Sequence, residues 1–210
     1  PVEPTLFNEA FMTHTSTSPQ YSIIASTDVL AKMMDDAGPA LTDESIREAI
    51  DFRQEILRIG RELRNRDADD WWFDTWQVDE LDGRSFLDAK PDDLATAPEA
   101  WLLGPKASWH GFGDLSDRYC MLDPIKVTTL TPGVGPDGRL LDRGIPAAIV
   151  SRFLGGRGIV VEKTEPYSIL TLFSIGTTKG KWGSLVAGLF EFKELYDANA
   201  PLSTALPELI

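Results

Sequence analysis

At 210 residues, 42% hydrophobic and 25% charged, the chain is long enough for one large or two small cores, and its composition is neither disordered nor collagenous. Twenty Lys and Arg against thirty-three Asp and Glu leave a formal charge of −13, which repels a phosphate backbone, argues against nucleic acid as a partner and draws small cations instead. No run of about 18 apolar residues occurs, since Thr171 and Ser174 interrupt even the Ile169 to Ile175 stretch, so no membrane span is expected.

One cysteine, Cys120, permits no internal disulfide, and two histidines, His14 and His110, are too few for a His/Cys metal cage. A reducing, cytoplasmic compartment is the default expectation. Pro1-Val2-Glu3 offers no Met, basic region or apolar core of a signal peptide, and Leu206 to Ile210 stops without a polar tail, so both ends are expected to be cut.

In chain order, Ser18 as cap and Pro19 at the first helical position open a helix over about Pro19 to Met34, with Tyr21, Ile24, Ala25, Val29 and Met33 at helical spacing. Gly38-Pro39 is read as a break. Thr42 then caps a second helix to Arg66, with Asp43 and Glu44 at its positive end and Arg61, Arg64 and Arg66 at its negative end. Its stripe of Ile46, Ala49, Ile50, Ile56, Leu57 and Leu63 suits a linker helix between sub-domains. From Trp71 to Trp109 the aromatic clusters and acidic, Pro-punctuated run predict a short strand and a long loop. Ile125 to Leu130 reads as a strand, Pro136-Asp137-Gly138 as a turn, and Pro146 to Leu154 as a helix with Ile149, Val150, Phe153 and Leu154 inward. Strands over Gly158 to Lys163 and Tyr167 to Ile175 follow, then a helix over Thr178 to Asp197 burying Leu185, Leu189, Phe192 and Tyr196. The order predicts an α/β chain whose small, mostly antiparallel sheet is covered by helices on one face.

The most suggestive chemistry lies in His14-Thr15-Ser16-Thr17-Ser18-Pro19, where hydroxyls precede a helix mouth whose unpaired N–H groups attract an anion, above all a phosphate. The plain alternative is that the same hydroxyls cap the helix and hold the turn. Glu162, at the end of an apolar strand, can meet a cationic head group or simply be solvated beside Lys163. His110, between Trp109 and Phe112, suits a structural imidazole better than a general base. Arg118 is the one cation close to Cys120 in sequence, which argues against a reactive thiol.

Phe7 to Pro19 resembles a segment of the bacterial ornithine/lysine/arginine decarboxylases, fold-type-I enzymes that use pyridoxal phosphate. Trp71-Trp72-Phe73-Asp74-Thr75-Trp76, Trp109-His110-Gly111-Phe112, Leu122 to Val127, Gly144-Ile145-Pro146-Ala147, Gly158 to Thr164 and Gly180-Lys181-Trp182-Gly183 resemble further landmarks in the same order. The resemblance implies residues 1–66 as the end of the large cofactor domain with its linker helix, and residues 67–210 as a truncated small C-terminal α+β domain. It also implies a homodimer or higher homo-oligomer acting on a small cationic amino acid. None of the eight lysines lies in the family's Ser-x-His-Lys motif, so no catalytic residue is assigned and the chain alone is expected to be inactive. By position, Ser16 matches the hydroxyl lent across the dimer interface to the cofactor phosphate, and Glu162 an acidic position near the substrate's distal amine. Thr178 to Leu185 and Tyr196 to Leu202 look most like biodegradative arginine decarboxylases, whereas Val161 to Thr164 looks more like the lysine and ornithine branch. Arginine is favoured, with lysine and ornithine as alternatives. A non-catalytic, decarboxylase-like assembly module is the competing reading.

Overall fold

The computed structural model describes residues 2–16, 18–135, 139–142 and 144–207, so the turn expected at Pro136-Asp137-Gly138 lies outside the described residues. The chain forms two compact units, Pro1–Leu41 and Thr42–Ile210.

The first unit opens with α1, Pro4–His14, which the sequence reading passed over although its signals are plain. Pro4 suits the first turn, and the Glu3 carboxylate accepts the Leu6 N–H at 2.8 Å. The next helix, α2, runs Tyr21–Arg66 without interruption. Two corrections follow. Gln20 rather than Ser18 provides the carbonyl that receives the first-turn N–H groups, those of Ile23 and Ile24, at 3.0 and 3.1 Å. Gly38-Pro39 does not end the helix, and Thr42 is an interior residue rather than a cap. Proline in a helix forfeits one hydrogen bond and clashes with the preceding residue's Cβ. Gly38 has no Cβ, which removes that clash, and an added one would lie 3.0 Å from Met34 Cε.

In the second unit the α2 residues from Thr42 onward bury the face that their spacing predicts, with Ala49, Ile50, Phe52 and Ile56 fully enclosed. Short strands follow: β1 (Asp74–Thr75), then a hairpin of β2 (Glu80–Leu81) and β3 (Arg84–Ser85). Asp82 and Gly83 both have positive φ, the two-residue Asp-Gly turn that matches strand twist. Helix α3 (Pro91–Thr96), again with Pro at its start and acids in its first turn, interrupts the expected loop. Strand β4 (Lys126–Leu130), helix α4 (Ala147–Gly155), strands β5 (Lys163–Thr164) and β6 (Ser168–Leu172), helix α5 (Lys179–Asp197) and helix α6 (Leu202–Ala205) complete the order.

The main sheet is antiparallel in the order β1-β4-β6-β5, and the central pair runs from Lys126 opposite Leu172 to Leu130 opposite Ser168. Successive side chains alternate between faces. Val127 and Ile169 therefore join Val150, Phe153 and Leu154 of α4 and Leu185, Leu189 and Phe192 of α5 in one core, each fully burying about 1.5–3 kcal/mol of apolar side chain. Phe52 meets Phe173 at 5.4 Å and Trp182 at 5.9 Å, which fixes α2 over this layer. Gly188 lets α4 and α5 approach, since a Cβ there would sit 2.8 Å from Leu154 Cδ2. The α/β expectation of a small antiparallel sheet with helices holds, with local corrections. Ile149 and Tyr196 are 43% and 53% exposed rather than inward, Ala147 taking the inward place in α4. The expected 158–163 strand shrinks to β5, because Gly158 adopts positive φ as α4 turns back.

Arg53 is the largest fully buried side chain. Its guanidinium donates to the Pro124 carbonyl at 2.6 Å and the Lys126 carbonyl at 3.0 Å, and stacks 5.0 Å from the Trp101 ring. Burial pushes it down from 12.5 to about 9. The group thereby ties α2 to the start of β4.

Candidate functional site

The first candidate residue, Ser16, sits in the first unit, in the turn between α1 and α2. Thr13 and Thr15 donate their hydroxyls to the carbonyls of Glu9 and Phe11, and His14 Nδ1 lies 2.8 Å from the Ala10 carbonyl. The Thr15 contact serves the open end of α1, and the Thr13 and His14 side chains fold back on its last turn, so all three are committed to that helix. Ser16 differs. Its hydroxyl is exposed and makes only a local turn, donating to the Ser18 carbonyl and accepting the Ser18 N–H, both at 3.2 Å. Ser16 can thus be engaged by a ligand at the cost of two weak local contacts.

Glu162 belongs to the second unit. It precedes β5, its N–H donates to the Leu170 carbonyl at 2.8 Å, and its side chain is exposed on a groove of about 830 Å³ between α4 and residues 159–164. Ser151 and Arg152 line the same groove. The carboxylate is open to a cationic group from outside the chain, rather than buried.

A larger cleft, about 1060 Å³, lies on the sheet face opposite the helical core. Strand alternation builds it: Asp74 faces Leu130 across β1 and β4, Trp76 N–H donates to the Thr128 carbonyl at 3.0 Å, and Thr128 and Leu130 alternate with the core residues Val127 and Thr129. The Trp76 indole donates to the Trp109 carbonyl at 2.9 Å, with the two rings 5.6 Å apart. His110 is held in a single arrangement, Nε2 2.8 Å from the Gly104 carbonyl and Nδ1 accepting the Phe112 N–H at 3.0 Å. Its acceptor nitrogen is thereby occupied, and it serves as a loop strut, which agrees with the structural reading of the sequence. Sequence reasoning assigned no role to this cleft, because its walls come from five separated segments, α2 among them. Among the described residues, no group of three or more His, Cys, Asp or Glu could hold a metal, and no helix is long and apolar enough to cross a membrane.

A family model described as Orn/Lys/Arg decarboxylase, major domain, matches residues 2–181. The chain belongs to this family of basic amino-acid decarboxylases. It is 52% identical over 204 residues to lysine decarboxylase LdcA of Pseudomonas aeruginosa, covering 97% of this chain and 26% of that one. It is 47% identical to the biodegradative arginine decarboxylase of Escherichia coli, covering 97% and 28%. Among solved structures, lysine decarboxylase A from Pseudomonas aeruginosa superposes with a TM-score of 0.80 at 52% identity over 96% of this chain and 25% of that one. The constitutive lysine decarboxylase of E. coli gives 0.77 at 43% identity, over 100% and 27%. The chain thus spans about a quarter of the length of the relatives it matches.

Proposed function

We propose that this chain is part of a pyridoxal-phosphate-dependent decarboxylase that removes the α-carboxylate of a basic amino acid as carbon dioxide. The observation that carries the reading is the continuous similarity to lysine and arginine decarboxylases over 97% of the chain. When bound, the cofactor supplies the electron sink that accepts the carbanion electrons. The residues of this chain fit one part of that group. The exposed Ser16 hydroxyl, ahead of the first-turn N–H groups of α2, offers a donor to a phosphate. None of the eight lysines lies in a Ser-x-His-Lys motif, so the covalent anchor is supplied by sequence outside this chain, which alone is inactive.

Glu162 is the residue proposed to receive the distal cation of the substrate, and its exposure leaves it accessible to that group. Desolvation on substrate entry strengthens such a pair. The substrate is a basic amino acid. The arginine preference drawn from residues 178–185 and 196–202 stands against a higher identity to a lysine decarboxylase, 52%, than to an arginine decarboxylase, 47%. This weighs toward lysine. Domain limits at 66/67 remain part of the proposal. So does a homo-oligomer, supported by the exposed apolar residues Leu6, Phe7 and Phe11 of α1 and Ile23, Ile24 and Val29 of α2.

The test uses the full-length polypeptide that contains this chain. Carbon dioxide release is measured with lysine, arginine and ornithine, and pyridoxal phosphate affinity is measured by dialysis. Ser16→Ala is expected to weaken cofactor binding by about tenfold, one charge-assisted hydrogen bond. Glu162→Gln is expected to raise KM with less effect on kcat. Absence of carbon dioxide release with all three amino acids sinks the reading and leaves the assembly module in its place.

A further inference from the structure

The cleft on the outer sheet face carries a cationic-ligand chemistry that the decarboxylase reading leaves unused. Asp74 and Trp76 project from alternate positions of the β1 segment onto this face, and Asp79 follows on the same wall. Among the described residues, neither Asp74 nor Asp79 meets a cation at ion-pair distance. Asp74 accepts only the Thr75 N–H, at 2.7 Å. Although Asp74 is exposed, partial loss of hydration raises its carboxyl above the ordinary carboxylate range and Asp79 adds to this, against the Thr75 N–H and the Arg64 charge. On the same wall Arg61 is neutralised by Asp88 at 2.9 Å. Arg64 folds back over Gly60, where a Cβ would lie 3.1 Å from its Nη2, and it lines the cleft, acting on Asp74 through its charge without reaching ion-pair distance. Trp76 and Trp109 complete the pocket with two indole rings. Carboxylates short of a counter-ion beside aromatic rings are the chemistry that holds an organic ammonium, by charge pairing and by attraction to the ring faces.

We propose that this cleft, whose lining includes neither Ser16 nor Glu162, binds a small organic ammonium through Asp74 and Asp79, packed against Trp76 and Trp109. Two sources share that chemistry, a free basic amino acid and the diamine left by loss of its carboxylate. That these two are the relevant amines rests on the decarboxylase reading, whereas the site itself does not. Arg64 distinguishes them, because only the amino acid brings a carboxylate to its guanidinium.

The experiment is isothermal titration of the full-length polypeptide containing this chain with L-lysine and, separately, with 1,5-diaminopentane. Asp74→Asn and Asp79→Asn are each expected to weaken binding by about tenfold, and Trp109→Leu by about threefold. All three are expected to leave carbon dioxide release at saturating substrate unchanged. Arg64→Gln weakens lysine alone if the amino acid is the ligand and leaves both titrations unchanged if the diamine is. The proposal is overturned if neither amine binds beyond the site that releases carbon dioxide, or if both Asp variants, folded by circular dichroism, bind like the parent. Loss of carbon dioxide release in the parent, with Asp74-dependent binding intact, would instead remove the decarboxylase reading and leave this one standing.

Discussion

Arg53 offers the most direct test of what holds the second unit together. Its fully buried guanidinium bonds the carbonyls of Pro124 and Lys126 at 2.6 and 3.0 Å, and burial lowers it from 12.5 to about 9. That displacement corresponds to about 5 kcal/mol spent on keeping the charge inside. Arg53→Ala removes the bonds, strands both carbonyls at about 1–3 kcal/mol each and opens a cavity along the vanished stem worth about 4 kcal/mol, against which it recovers the desolvation cost, for a net loss of about 3 kcal/mol. Arg53→Met likewise strands the carbonyls and recovers the desolvation cost, but it fills most of the stem's volume. It should lie within about 2 kcal/mol of the parent. Equilibrium urea unfolding measures both. With a slope of about 2 kcal/mol/M, the Ala variant's midpoint falls by about 1.5 M and the Met variant's by less than half of that. Equal midpoints for the two variants, or an Ala variant within about 0.5 kcal/mol of the parent, would refute the reasoning.

Four further outcomes follow from local geometry. Lys193 is opposed by its burial, yet the Asp197 and Asp70 carboxylates, each 2.6 Å from Nζ, hold its ammonium above the usual 10.5. Its contribution is therefore complete below that value and is lost as pH rises through the folded value. Melting temperature followed from pH 9 to 12 should fall less steeply in Lys193→Met than in the parent. Asp74 is raised in the fold, so its charged form costs stability at neutral pH and the cost vanishes once both states are protonated. Asp74→Asn should raise the melting temperature at pH 7, with the gain fading as the pH is lowered to 3.8. A Cβ on Gly144 would come within 2.6 Å of Gly133 Cα and 2.7 Å of the Tyr167 ring, so Gly144→Ala should cost about 2–3 kcal/mol in denaturant unfolding. Gly155 meets nothing within 4 Å at the end of α4, and Gly155→Ala should be neutral or stabilising by up to about 1 kcal/mol.

Local rules read the strongly patterned elements correctly. The spacing of Ala49, Ile50 and Ile56, the β-branched Lys126–Leu130 run and the period of Leu185, Leu189 and Phe192 each marked the face that is buried. Some signals were present and unread, such as Glu3 with Pro4 opening α1 and Asp82-Gly83 turning the hairpin. At Gly38-Pro39 the local rule gave the wrong answer, because a breaker pair whose first member lacks a Cβ is compatible with a helix that continues on both sides.

The sequence by itself determined the family, the two exposed candidates Ser16 and Glu162, and most of the buried stripes of α2 and α5, because motif order and periodicity are one-dimensional properties. Tertiary structure alone decided what Asp74, Trp76 and Trp109 do together. Asp74 and Trp76 share a face by strand alternation, but they meet Leu130 and Thr128 only because β1 pairs with β4 in a particular register. Trp109, some 33 positions beyond Trp76, arrives through one indole-to-carbonyl bond. Register and long-range closure depend on the packing of the whole unit, and no local window of sequence contains them.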